Sequence, residues 1–356
     1  IAEGLLAPIN QSGDAEACHF DNGTVTTPEG FKEAYKEFAE GGWSSLTGDV
    51  DYGGQGMPKM LSAVIEEMLF AANSSFALYT ILNTGATLTL SHHGSDELKQ
   101  RYLPKMYSGN WSGTMCLTEP HAGTDLGMIK TKAELQADGS YRLSGTKIFI
   151  TAGEHDLTEN IIHLVLAKLP DAPAGPRGIS LFLVPKFLVD ESGMLTGERN
   201  TVACGSIEHK MGIKASSTCV MNFDSAAGYL VGEENQGLSH MFTMMNYERL
   251  SMGLQGNGLA DSSYQLASAY AKERVQGRAA TGALQSDLNA DPIIVHPDVR
   301  RMLLTMRANI LAGRALSLYA ASQLDISRFH TNEAARKKAG QLVGLLIPVQ
   351  KAYCTD

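Results

Sequence analysis

Met115-Cys-Leu-Thr-Glu-Pro-His-Ala-Gly-Thr-Asp125 is the stretch on which the fold turns. Its small residues and Gly123 let backbone come close to a ligand, and the hydroxyls of Thr118 and Thr124 can hydrogen-bond a heterocycle or a phosphate. The same residues equally suit a plain glycine-containing loop capped by Thr and Asp. The residues alone leave both readings open, and the segment joins a helical region to a β domain.

Before it, residues 30–110 read as helices. Pro58-Lys-Met-Leu-Ser-Ala-Val-Ile-Glu-Glu-Met-Leu-Phe-Ala-Ala72 places apolar residues three and four apart. Ser75–Leu82 is apolar enough to be buried all round. Ser95 followed by Asp96 and Glu97 is a helix start with its cap and early acids. After it, from about 111 to 235, the elements are short strands: Tyr141–Ile150 behind the turn pair Asp138-Gly139, then Asn160–Ala167, Gly178–Val184 and Thr218–Phe223. Such a series predicts a barrel or sandwich. From Gly237 the helical period returns, with one long helix over 238–271 and two more over 296–324 and 331–355, around a polar loop at 278–292. The fold class is therefore α+β: an N-terminal helical domain over 1–114, a middle β domain over 115–235 and a C-terminal helical bundle over 236–356.

Composition bounds the function. The chain has 356 residues, enough for two or three domains. A net charge of −9 argues against non-specific nucleic-acid binding, which needs a basic surface. Five scattered cysteines without a CxxC point to buried thiols in a reducing, cytoplasmic compartment rather than to disulfides or a metal. No apolar run is long enough to span a bilayer, and no signal peptide is visible. The first residue is Ile1 and the last, Asp356, falls inside a helical pattern. Both ends read as the edges of a fragment truncated at both ends, or of an ordered core.

Leu117-Thr-Glu-Pro-His-Ala-Gly-Thr-Asp125 resembles the flavin-loop signature of the acyl-CoA dehydrogenase family. Gly145-Thr-Lys-Ile-Phe-Ile-Thr151 is similar to that family's second flavin segment. Lys210–Thr218 resembles its β-domain stretch, Val231–Leu238 its entry to the C-terminal helices, and Tyr270–Arg278 the segment whose Arg reaches FAD of a neighbouring subunit. Five matches in order over nearly the whole chain outweigh any one alone. Met244–Leu250 and the long loop before His296 look most like a larger bacterial branch that includes 3-methylmercaptopropionyl-CoA dehydrogenase.

The resemblance implies FAD as cofactor and oxidation of an acyl-CoA to the trans-2-enoyl-CoA. It assigns Leu117, Thr118, Gly123, Thr124, Phe149 and Thr151 to the cofactor, with Arg274 reaching the cofactor of a partner in a homodimer or homotetramer. Gln276 departs from the pattern, which has an aromatic residue there. On the residues alone, Phe149 is a core aromatic and Arg274 a solvated helix residue. The resemblance further implies an electron-transferring flavoprotein as acceptor, and Thr124, Met245 and Arg249 as substrate contacts.

In most of the family the base is a Glu in a Tyr-Glu-Gly-Thr motif, expected here beyond Asp356. Within the chain, Glu248 matches the site where some members carry their base. Met245, Glu248 and Met252 fall at i, i+3 and i+7, so a Met-lined acyl pocket would share a face with this Glu. The plainer alternative is core methionines and a Glu paired with a neighbouring charge. Two other functions stay open at this level: an acyl-CoA oxidase, and a flavin-binding relative turned to regulation or nucleic-acid binding.

Overall fold

A computed structural model describes all 356 residues. In chain order the elements are α1 (Pro8–Glu16), β1 (His19–Asp21), β2 (Thr24–Thr26), α2 (Phe31–Glu40), α3 (Lys59–Ala72), α4 (Ser74–His93), α5 (Asp96–Tyr107), β3 (Trp111–Cys116), β4 (Lys132–Leu135), β5 (Tyr141–Thr151), β6 (Asn160–Lys168), β7 (Ile179–Pro185), β8 (Phe187–Val189), β9 (Leu195–Arg199), β10 (Val202–Ile207), β11 (Thr218–Leu230), α6 (Gly237–Glu273), α7 (Pro297–Phe329) and α8 (Glu333–Thr355). They form two compact units, Ile1–Pro58 with Asn73–Glu248, and Lys59–Ala72 with Arg249–Asp356.

The first unit is built on a barrel. β11 pairs β5, β5 pairs β4, β4 meets β6, β6 pairs β7, and β7 returns to β11, which closes the ring. β10 is added beside β11, and β3 lies parallel to β6. The expected barrel-or-sandwich domain is thus a barrel. β6 is buried along nearly its whole length, so its period-2 alternation sorts residues between two cores rather than between core and water. Val165 and Ala167 join Leu143, Ile150, Phe182 and Met221 inside the barrel. Ile162, Leu164 and Leu166 join Leu82, Ala86, Tyr102, Trp111 and Met244 on the other side. α4 supplies that outer layer and comes very close to β3. A Cβ on Gly113 would stand 2.4 Å from the Ala86 Cβ, so only glycine permits this contact.

Two hairpins add to the strands read from the sequence. β1–β2 turns on Asn22-Gly23, both at positive φ, the backbone that a two-residue hairpin loop requires. β8–β9 is the other. β11 runs on to Leu230, past the expected end at Phe223, through an irregularity between Phe223 and Ala226.

In the second unit α3 is the helix that its apolar spacing predicts, and it buries charge as well as apolar residues. Ala63, Leu69 and Phe70 are buried and Met60, Leu61, Val64 and Met68 are exposed, while the charged residues Lys59, Glu66 and Glu67 share the buried face. The reason is pairing. Lys59 Nζ lies 2.5 Å from Glu66 Oε1, Ser251 Oγ donates to Glu66 at 2.7 Å, and Asn257 and Arg314 donate to Glu67 at 2.8 and 2.5 Å. Buried charge is tolerable where such partners meet it. α6 is the single long helix expected, and its glycines serve close packing. A Cβ on Gly256 would fall 2.0 Å from the Cys354 carbonyl oxygen, and one on Gly258 2.7 Å from that of Glu67.

The buried Asn73 begins α4. Its Oδ1 accepts from Phe76 N at 3.0 Å and its Nδ2 donates to the Leu6 carbonyl at 3.2 Å. Asn73→Ala should cost about 1–2 kcal/mol. The urea midpoint should fall with an unchanged slope; an unshifted midpoint would remove the cap from the account of this helix.

Candidate functional site

β3 ends at Cys116 and delivers the chain into the 117–125 loop; β5 ends at Thr151 beside it. Ile148 N donates to the Thr118 carbonyl at 2.9 Å, and Thr114 Oγ1 to the Thr151 carbonyl at 2.5 Å. A tight turn across Glu119–Ala122 folds the loop back, with each backbone N–H donating to the other's carbonyl at 3.0 Å.

Two residues that sequence reasoning passed over organise this junction. Lys147 is fully buried and Glu119 is 3% exposed. The Lys147 ammonium donates to Glu119 Oε1 at 2.8 Å and to the Leu117 carbonyl at 2.9 Å. The Glu119 carboxylate also accepts from Lys130 N at 2.7 Å, Thr131 N at 3.0 Å and Thr131 Oγ1 at 2.6 Å. Burial alone would push the Glu119 carboxyl up. The Lys147 charge and these hydrogen bonds outweigh it and hold the group below its ordinary 4.5. The available signal was a Lys at an inward position of a strand, with a Glu beside Pro in a loop that otherwise reads as solvent-facing.

Phe149 overturns the core reading. It is 58% exposed and sits at φ +58°, the left-handed region that an aromatic side chain rarely occupies. Ala152 follows at φ +55°. The strand therefore kinks just where its aromatic side chain turns outward. Thr118 and Thr151 are half-buried, and Thr124 is exposed. Gly123 leaves open space, since the nearest atom to a Cβ there is Thr118 Cγ2 at 3.9 Å. The unit thus brings together Leu117, Thr118, Phe149 and Thr151, with Gly123 and Thr124 on the loop's outer face.

On α6, Met245 is half-buried at the edge of the outer core. Glu248 is 7% exposed and lies against α4, where a Cβ on Gly85 would stand 2.6 Å from its Oε1. Arg249 opens the second unit's share of the same helix. Arg274 lies in that second unit, exposed just past the end of α6, with its N–H donating to the Tyr270 carbonyl at 2.8 Å.

Three family models match the chain in order: acyl-CoA dehydrogenase, N-terminal domain, over residues 10–110; middle domain, over 114–226; and C-terminal domain, over 235–341. The chain is 50% identical over 352 residues to 3-methylmercaptopropionyl-CoA dehydrogenase of Ruegeria pomeroyi, a match covering 99% of this chain and 59% of that protein. It is 30% identical over 294 residues to an acyl-CoA dehydrogenase of Bacillus subtilis, covering 80% of this chain and 69% of that one. A solved acyl-CoA dehydrogenase from Bacillus anthracis, complexed with FAD, superposes with a TM-score of 0.72 at 27% identity, over 92% of this chain and 51% of that chain.

Two expectations follow from the geometry. Phe149→Asn should raise stability by about 1 kcal/mol, because Asn tolerates the left-handed backbone; a lower urea midpoint would show that no strain resides there. Glu119→Gln should cost about 3–5 kcal/mol at neutral pH by leaving the Lys147 ammonium without its counter-charge. A carboxyl held low contributes stability above its unfolded value and loses it as pH falls toward the native one. The gap between native protein and Glu119→Gln should therefore narrow on acidification below 4.5. A constant gap would show that the charge plays no part.

Proposed function

Because the chain belongs to the acyl-CoA dehydrogenase family, we propose that its first unit holds FAD on the 117–125 loop and the 149–151 strand end, and that the protein oxidises the Cα–Cβ bond of an acyl-CoA thioester to the trans-2-enoyl-CoA. The chain spans 59% of the length of its Ruegeria pomeroyi relative, and the activity, substrate and partners are proposed for the whole protein. The observation that carries it is Phe149. An aromatic side chain held outward on strained backbone, beside open hydroxyls, is a platform for a flat heterocycle. The FAD complex of the Bacillus anthracis relative supports the same cofactor.

The residues divide the work. Thr118, Thr124 and Thr151 offer hydrogen bonds to the ring's polar edge, and Phe149 packs its face. Gly123 leaves room for close approach. The bound flavin supplies the two-electron acceptor for hydride lost from Cβ. A carboxylate must take the α-proton, and within these 356 residues the candidate is Glu248, on α6 three residues from Met245. Buried against α4, it meets a substrate with little competing water. Met245, Thr124 and Arg249 are the substrate contacts of this reading. Arg274 reaches the cofactor of a partner chain in a homodimer or homotetramer, and an electron-transferring flavoprotein takes the electrons. Five free cysteines support a reducing compartment, the bacterial cytoplasm. No helix is long and apolar enough to cross a membrane.

Anaerobic titration of the FAD-loaded, full-length protein with a panel of acyl-CoAs should bleach the flavin with at least one thioester. Glu248→Gln should slow bleaching about a hundred- to ten-thousand-fold. If every thioester leaves the colour intact while a chemical reductant removes it, the dehydrogenase reading fails. If Glu248→Gln bleaches as fast as the unaltered protein, the base lies elsewhere.

A further inference from the structure

The two segments assigned to the cofactor are not neighbours in sequence, and one buried cation joins them. Lys147 lies on β5, two residues before Phe149. Its ammonium binds the carbonyl of Leu117, at the start of the loop, and the carboxylate of Glu119 within the loop. The next residue on the strand, Ile148, donates its N–H to the Thr118 carbonyl. With the Leu117 and Thr118 carbonyls both bound by the strand, the loop's other groups, the Thr118 hydroxyl among them, are left to face a ligand. Through Glu119 the same cation reaches the 130–131 backbone.

A second ion pair in the same barrel gives a comparison. Lys186 is bound to Glu154, which also accepts from Arg199 at 3.1 Å. That pair touches neither the 117–125 loop nor a loop carbonyl, so it carries stability without holding the two segments together.

We propose that Lys147 is a positioning residue for the flavin: its buried ammonium, shared between the Leu117 carbonyl and the Glu119 carboxylate, sets the register of the two segments that grip the ring. The proposal rests on FAD binding at this site. It deepens that reading by assigning the holding role to a side chain that never touches the ligand. The ammonium is compact and donates in two directions at once. A neutral side chain of similar length fills its volume and keeps neither bond.

The test compares three variants of the full-length protein: Lys147→Met, Lys186→Met, and Lys147→Met with Glu119→Gln, which removes both charges of the first pair. FAD affinity is measured by fluorescence quenching, the environment of bound flavin by its visible spectrum, and stability by urea unfolding of the apoprotein. Lys147→Met should weaken FAD about ten- to a hundred-fold, the range of a hydrogen bond to a charged group, and shift the flavin bands. Lys186→Met should lose comparable stability while keeping native affinity and spectrum. The double variant should regain stability over Lys147→Met but not FAD affinity, since replacing both partners of a buried pair relieves the stranded charge without restoring the grip.

Equal losses of affinity in Lys147→Met and Lys186→Met would reduce the effect to general destabilisation and overturn the proposal. Native affinity and spectrum in either variant lacking Lys147 would do the same. Failure of the unaltered protein to bind FAD would instead sink the function on which the proposal rests. If Lys147→Met does not fold, the double variant and Lys186→Met still decide the matter.

Discussion

The first unit depends on a strand that has no solvent face. β6 is buried on both sides, so it can exist only if a closed barrel fills one side and a helical layer fills the other. Fully burying each large apolar side chain along it contributes about 1.5–3 kcal/mol, and that gain is collected only when both layers are present. The position of the site follows. β3 lies parallel to β6 and is covered by α4, so the loop that leaves β3 starts from fixed backbone. β5 lies in the barrel wall, and its kinked end meets that loop. A site made where two rigid strands run out can be open on one side and still be held from behind.

Much of this was legible because the signals are local. Asp138-Gly139 makes the turn between β4 and β5, with Gly139 at φ +83° and the Asp138 side chain accepting from Ser140. Ser95 caps α5 by accepting from Leu98 N. The long α6 followed from period alone, despite its glycines. What escaped is non-local. Glu119 and Lys147 are 28 residues apart, and nothing in either neighbourhood announces the other. The outward turn of Phe149 depends on a backbone kink that a strand pattern does not encode. α3 is the plainest case: its period announces a helix, but that Glu67 shares the buried face with Ala63, Leu69 and Phe70 depends on Arg314 and Asn257, far along the chain.

Buried ion pairs recur at Glu119–Lys147, Glu154–Lys186 and Lys59–Glu66. A buried pair is weak evidence for stability, since well-packed apolar residues often do as well. What such pairs supply here is discrimination among packings. An apolar contact tolerates sliding, whereas a buried ammonium must meet its carboxylate or leave both stranded. In the barrel this pins loops to strands. In the second unit it fixes the rotation of α3 about its own axis.

That rotation inverts the usual rules for altering a helix. At Met60, Leu61, Val64 and Met68 the side chains are exposed on the chain, so a polar replacement there removes nothing from its interior. At Glu66 and Glu67 the polar residues are the interior, and a greasier side chain would strand Lys59 and Ser251 at the first and Arg314 and Asn257 at the second. An engineer guided by hydropathy alone would mutate α3 on the wrong side.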